Sequence, residues 1–263
     1  IFTMDKVNFL FQRLKDKINF LLKRNIRIYG NYKSFEEALK NSQGYSDELI
    51  LKKKINSFLS VLKGHAAYEQ DTLLFFKENY DNDLLDYLND IQKKIQRNLI
   101  VLDFGGSFGT LYFKNYKKFN HTYDWNIIEQ ENIVNYINEN NFNLKINFFK
   151  NLNDLKKTPD VVIFSGSIQY LPNPYEILEQ LIKKNITNFL FLKTSFHYGK
   201  DNIFSIQKVP KNIYQATYPI TIFSYVKFID FFKSNNFKMN KFRKKIYIDG
   251  IDHLSFSLLR TKY

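Results

Sequence analysis

The sequence predicts an α/β fold: a doubly wound, mostly parallel sheet of seven strands, an antiparallel C-terminal hairpin and an N-terminal helical extension. Three observations predict it. From Leu99 onward, short apolar runs alternate with helix-like stretches, the pattern of parallel strands joined by right-handed crossovers. The first run, Leu99-Ile-Val-Leu-Asp-Phe-Gly-Gly-Ser-Phe-Gly109, is a buried strand that ends in a glycine-rich turn. The last two β-rich runs, Lys241 to Ile248 and His253 to Arg260, are joined by Asp249-Gly-Ile-Asp252 and read as a hairpin.

The elements follow in order. Asp5 to Arg24 reads as a basic amphipathic helix, with Val7, Leu10, Phe11, Leu14, Ile18, Leu21 and Leu22 at helical spacing. That face suits packing on the domain or on a second subunit of an oligomer. With Lys17, Lys23 and Arg24 it also suits peripheral contact with a membrane surface. Met4 reads as the native start, with Ile1-Phe-Thr3 a remnant ahead of it. Ser34 with Glu37 resembles a capping box, so a helix starts near Phe35, and Gly44-Tyr45 breaks it. Further helices run from Asp47 to Leu62, Glu69 to Glu78 and Asp83 to Gln96. Residues 1–96 therefore form a helical cap and residues 97–263 the main domain. Strands of that domain fall near 99–104, 125–129, 145–149, 160–165 and 188–193, with helices at Thr110 to Lys118 and Tyr175 to Lys184.

A chain of 263 residues can bury a full core as one α/β domain with additions. It has no cysteine, which excludes disulfides and thiolate metal sites and fits a reducing, cytoplasmic setting. No apolar run approaches the roughly 20 residues that span a bilayer. The early apolar patches are cut by Asp5, Arg13, Lys15, Asp16 and Lys17, so no secretory signal appears. The net charge of +13 attracts anions, but its lysines are spread along the chain and no RNA-binding motif is present. A small anionic substrate is expected, and no nucleic acid.

The chemistry concentrates in three segments. In the first, Asp103 ends a strand and Gly105, Gly106 and Gly109 follow around Ser107, giving a turn that lets backbone approach a ligand closely. The D-x-G-x-x-x-G spacing differs from the dinucleotide fingerprint and lacks the Lys-Ser/Thr of a P-loop. In the second, Trp125-Asn-Ile-Ile-Glu129 is a strand ending in a carboxylate, followed by Gln130. An acidic residue there is placed to accept from both ribose hydroxyls of a nucleotide cofactor. In the third, Val161 to Phe164 is an apolar strand that turns through Ser165, Gly166 and Ser167 toward Tyr170 and Pro172-Asn-Pro174.

These segments, with Gly30-Asn-Tyr-Lys-Ser-Phe-Glu-Glu-Ala38 and Tyr68-Glu-Gln-Asp71, resemble class I S-adenosylmethionine (SAM) methyltransferases. They are similar in particular to those encoded with bacterial surface-polysaccharide genes. The resemblance runs from about Tyr29 to the end of the chain. That family tends to carry Arg-Thr-Pro after the fifth strand, where this chain has Lys193-Thr-Ser195. The resemblance implies a Rossmann-like methyltransferase fold, SAM as cofactor, and a cofactor and acceptor meeting at Ser165–Ser167. It implies O-methylation of a sugar hydroxyl or phosphate-linked group of a surface glycan, such as capsule or O-antigen, or of its nucleotide-activated precursor. A methyltransferase for another small metabolite or lipid, and a non-catalytic SAM-binding partner subunit, are the alternatives.

Methyl transfer to a hydroxyl benefits from a general base. His197, directly after the fifth strand, is the first candidate, with simple solvation as the plain alternative. Tyr170 either assists or packs on cofactor or acceptor, and His65, Glu69 and Asp71 are further candidates. Tyr68 and Asp71, at the start of an expected helix, are placed to cap the cofactor pocket; Glu69 and Asp71 serve equally to stabilise that helix. Asn151 and Asp154 are placed to reach the adenine. The four histidines are isolated, so no metal is expected.

Overall fold

A computed structural model of the chain describes residues 26–43, 48–210, 213, 216–248 and 251–261. The amphipathic segment Asp5 to Arg24 lies outside them, as do Asp249 and Gly250 of the hairpin turn.

The strands are β1 (Arg27–Tyr32), β2 (Tyr68–Gln70), β3 (Leu73–Phe75), β4 (Ile100–Phe104), β5 (Asp124–Ile128), β6 (Ile146–Phe149), β7 (Val161–Ser165), β8 (Asn188–His197), β9 (Ile203–Val209), β10 (Ala216–Ser224), β11 (Phe237–Ile248) and β12 (Ile251–Arg260). The helices are α1 (Phe35–Lys40), α2 (Glu48–Leu62), α3 (Asn82–Gln92), α4 (Thr110–Asn115), α5 (Glu131–Asn140), α6 (Pro174–Lys183) and α7 (Tyr225–Ser234).

Five strands run parallel in the order β6-β5-β4-β7-β8. β12 joins the free side of β8 antiparallel, and β11 pairs with β12. This is the expected parallel sheet with its closing hairpin. Among the described residues the sheet has ten strands rather than the expected seven. The additional three are β1, β9 and β10. β8 runs on past the end of β7, and its last residues Phe196 and His197 pair parallel with Phe223 and Ser224 of β10. β9 and β1 then add antiparallel beyond β10.

Alternation along the strands sends side chains to two faces. On one, Leu102, Phe104, Phe164, Phe189, Phe191 and Phe196 pack with Phe228 and Phe232 of α7 and with Phe256. The Phe191 ring lies edge-on to Phe228 at 5.1 Å and stacked on Phe164 at 5.5 Å. On the other, Leu99, Val101, Trp125, Ile127, Ile163 and Leu190 pack with Leu84, Leu88 and Ile91 of α3. Asp160 fixes the lower end of the sheet. Its carboxylate takes both guanidinium nitrogens of Arg97 at 2.8 Å and the Ile100 N–H at 2.9 Å.

Two local expectations come out differently in kind. Ser34 does cap α1, its Oγ accepting the Glu37 N–H at 3.2 Å. The helix expected from Glu69 to Glu78, however, is the β2–β3 hairpin. Tyr68 stacks flat on Phe75 at 4.7 Å, and the chain reverses through Asp71 and Thr72, at φ 54° and 66°. Cross-strand aromatic pairing and burial against α2 and α4 outweigh local helix propensity. Residues 27–92 thus carry a strand of the main sheet and a small hairpin beside three helices.

Candidate functional site

The C-terminal ends of β4, β5 and β7 bring the three segments together. After Asp103 and Phe104 the chain leaves the sheet at Gly105, whose N–H donates to the Ile128 carbonyl at 2.8 Å. Gly105 has φ +72°, and a Cβ there would come within 2.7 Å of the Ser167 Cβ. A Cβ at Gly106 would come within 2.6 Å of the Asp103 carboxyl carbon. The glycines are therefore required by the turn's own packing. Gly109, at φ +91°, leads into α4.

The Ser107 N–H donates to one Glu129 carboxylate oxygen at 2.8 Å, and the Gln130 N–H donates to the other at 2.9 Å. Glu129 is only partly buried. Each of its oxygens retains acceptor capacity. Ser107 itself holds φ 53°, a conformation that costs a non-glycine residue about 1 kcal/mol. From the third segment, the Ser167 hydroxyl donates to the Phe104 carbonyl and the Gly166 N–H to the Leu192 carbonyl. Ser165 ends β7 opposite Leu192. Asp103, Gly105, Gly106, Ser107, Gly109, Glu129, Gln130 and Ser165–Ser167 thus share one edge. Asn151, beyond β6, is on the same edge, its N–H held by the Asp154 carboxylate at 3.1 Å.

The electrostatics centre on two buried acids. Asp103 is 0 % exposed, and neither carboxylate oxygen closes a hydrogen bond. Burial, and then the negative charge of Glu129, push its pKa up to about 7, against the opposing influence of the Trp125 indole. Glu69 on β2 is buried beside α4. Its carboxylate is hydrogen-bonded by the Thr110 hydroxyl and accepts the Thr72 N–H at 3.2 Å. Burial raises its pKa, and the bond to Thr110 works against that rise. The Glu69–Thr110 contact fastens the hairpin to the helix that follows the glycine turn. Thr110 carried no signal in the sequence, because its partner lies 41 positions away.

Tyr68 is buried by Phe75 and lies under the Lys114 ammonium, 5.5 Å from the ring centre. Asp71 is exposed at the hairpin tip. Tyr170 packs against the cluster of Val209, Ile213 and Tyr218. Its hydroxyl donates to Gln207 at 2.9 Å, Gln207 in turn accepts there while donating to Tyr218 at 2.8 Å, and the two tyrosine rings meet edge-on at 5.1 Å. His197 is held within its own loop. Nδ1 accepts the Gly199 N–H at 3.0 Å, and Nε2 lies 2.8 Å from the Asp201 carbonyl. A carbonyl only accepts, so Nε2 carries the proton and no ring lone pair is left. In this arrangement both ring nitrogens of His197 are engaged within the loop.

Two surface clefts, of about 990 and 540 Å³, lie elsewhere. The larger is lined by Tyr112, Tyr116, His121 and Tyr123, toward the opposite ends of β5 and β6. At the glycine-turn edge, Gly105, Ser107 and Glu129 are partly exposed.

No family model and no curated protein matches the chain. Several solved structures are loosely similar to it. The N-terminal domain of EvdMO1, crystallised with S-adenosylhomocysteine (SAH) and D-fucose, aligns over 79% of this chain and 97% of its own, at 8% identity and a TM-score of 0.48. The 1,6-didemethyltoxoflavin-N1-methyltransferase of Burkholderia thailandensis aligns over 90% and 100%, at 12% identity and 0.46. CalS10, an amino pentose methyltransferase from Micromonospora echinaspora, aligns over 78% and 96%, at 10% identity and 0.45.

Proposed function

We propose that the chain is a SAM-dependent methyltransferase. One observation carries this reading: a carboxylate at the end of β5 is locked to the backbone of the glycine turn after β4, in a parallel sheet closed by an antiparallel hairpin. Glu129 fits a ribose, since both its oxygens are oriented by backbone N–H groups and can each accept another bond. The orphaned Asp103 carboxyl beneath the turn fits a site that receives a cationic ligand, because a nearby positive charge favours its ionised form.

SAM supplies a methyl carbon already activated by its sulfonium, so little covalent chemistry falls to the protein. Glu129 would hold the ribose, and Gly105–Ser107 would line the cofactor's flank. Asn151 and Asp154 would border the adenine. The Ser165–Ser167 turn, tied to Phe104 and Leu192, would orient the acceptor side and exclude water. The acceptor we propose is a sugar hydroxyl or phosphate-linked group of a surface glycan or its activated precursor. This rests on the motif resemblance and the basic charge. A phosphate oxygen needs no base, which accords with the occupied nitrogens of His197.

The test is transfer of labelled methyl from SAM to a panel of nucleotide-sugars and phosphorylated glycans, with Glu129→Ala alongside. Wild-type transfer that Glu129→Ala sharply weakens at subsaturating SAM supports the reading. A folded wild-type protein that neither binds SAM nor transfers methyl overturns it.

A further inference from the structure

β8 is flanked by β7 and β12, yet it is irregular at its upper end. Its pairing with β12 slips between Thr194 and Phe191, so that Leu192 and Lys193 together stand opposite Ser255. This is a β-bulge, a device that re-aims a side chain. Lys193 sits in it at φ 55°, where glycine or asparagine would be favoured. Both sides of its backbone are held: Ser255 Oγ accepts its N–H at 3.1 Å, and Gln169 Nε2 donates to its carbonyl at 3.2 Å. The result is an exposed lysine side chain one residue past Leu192, the partner of Ser165. A long cation occupies a backbone position that suits glycine, directly beside the Ser165–Ser167 turn.

A second observation points to a ligand. Two buried polar atoms around the bulge have no hydrogen-bond partner: Gln169 Oε1 and Thr194 Oγ1. Their residues are 2 % and 0 % exposed. Gln169 holds the Lys193 carbonyl, Thr194 is the next residue, and His253 faces Ser195, its Nδ1 3.3 Å from the Ser195 hydroxyl. Folded proteins rarely leave buried polar groups unsatisfied, and a bound water or ligand is one way such groups are completed. Asp252, beside His253, is the acidic neighbour on β12.

We propose that the Lys193 bulge is the subsite for a phosphate group on the methyl acceptor, with Lys193 as the residue that selects anionic acceptors. This rests on the methyltransferase reading above and gives its acceptor side a determinant. The lysine supplies the charge, and the polar groups beneath the bulge favour a hydrated, oxygen-rich ligand over an apolar one.

The test is calorimetric titration of inorganic pyrophosphate and of uridine diphosphate into the full chain, with and without saturating SAH. The variants are Lys193→Gly and Lys193→Arg. Lys193→Gly suits the φ of the bulge, so its melting temperature should equal or exceed that of the wild type. It should bind both probes at least tenfold more weakly, with SAH affinity unchanged. Lys193→Arg should stay within threefold of the wild type. Tighter binding of uridine diphosphate than of pyrophosphate would identify a nucleotide-linked acceptor, and equal binding a site that reads phosphate alone. The proposal is overturned if neither probe binds the wild type, or if Lys193→Gly binds them as well as the wild type does. A protein that binds the probes but never SAH would remove the cofactor reading and leave the phosphate site standing.

Discussion

The two halves of the upper sheet edge are built differently. Over β4, β5 and β7 the surface is backbone: a glycine turn, N–H groups aimed at Glu129, and a serine turn bonded to two carbonyls. Over β8, β9 and β10 it is side chain: the Tyr170–Gln207–Tyr218 chain, the looped His197 and the bulged Lys193. A backbone-built half depends on residue types that have no substitutes, namely glycine at positive φ and a carboxylate at a strand end. A side-chain-built half depends on which distant strands happen to meet. On the proposed reading, the first half would hold the cofactor and the second would face the acceptor.

The largest expected effect tests the strain held in the first half. The Asp103 carboxyl, with its pKa raised to about 7, stays protonated in the fold while it ionises in the unfolded chain. The resulting cost grows as pH rises from about 4 to about 7 and is complete above that range. Asp103→Asn should therefore raise stability at pH 8 by up to about 4 kcal/mol, and by almost nothing at pH 4. Thermal melts at the two pH values check this; an equal effect at both would remove the strain argument.

Next is Glu129→Ala, which removes a charged acceptor from the turn and from any ribose. SAM affinity should fall by about 30-fold, the ~2 kcal/mol of a hydrogen bond to a charged group. Isothermal calorimetry with circular dichroism as a folding control measures it, and an unchanged affinity would separate the turn from cofactor binding.

Asp160→Ala acts at the other end of β4 and should leave both halves of the upper edge intact. It breaks the Arg97 clamp and leaves the Ile100 N–H without its acceptor. The expected cost is about 1–2 kcal/mol, read as a melting temperature lower by roughly 2–4 °C per kcal/mol. SAM binding below the melting range should not change.

The smallest effect is expected in the second half. His197→Ala should keep turnover within about twofold of the wild type at pH 7, since the imidazole has no lone pair to offer in its loop. A hundredfold loss, the low end of what a general base contributes, would show that the loop opens during catalysis.

What the sequence disclosed follows the same division. The five parallel strands and the closing hairpin were legible because their apolar runs are long and their turns carry glycine or aspartate. The meeting of Asp103, Glu129 and Ser165–Ser167 at one edge followed from strand direction alone. β9 and β10 were missed, although Ile203–Val209 and Ala216–Ser224 are rich in β-branched and aromatic residues. Their place in the sheet depends on β8 outrunning β7, which no local pattern records. The β2–β3 hairpin was missed because its turn residues, Asp71 and Thr72, are unusual at positive φ. The roles open to Tyr170 and His197 could not be read from strand ends, because their partners Gln207, Gly199 and Asp201 are set by loops and long-range pairing.

Whether the glycine turn and Glu129 form a cofactor site is read out by a crystal structure of the full chain with SAH. The expected result is a ribose whose two hydroxyls lie within hydrogen-bond distance of the Glu129 carboxylate, with the cofactor crossing Gly105–Ser107. A nucleoside seated instead in the cleft of Tyr112, Tyr116 and Tyr123, with Glu129 still closed on Ser107 alone, would contradict the cofactor-site reading.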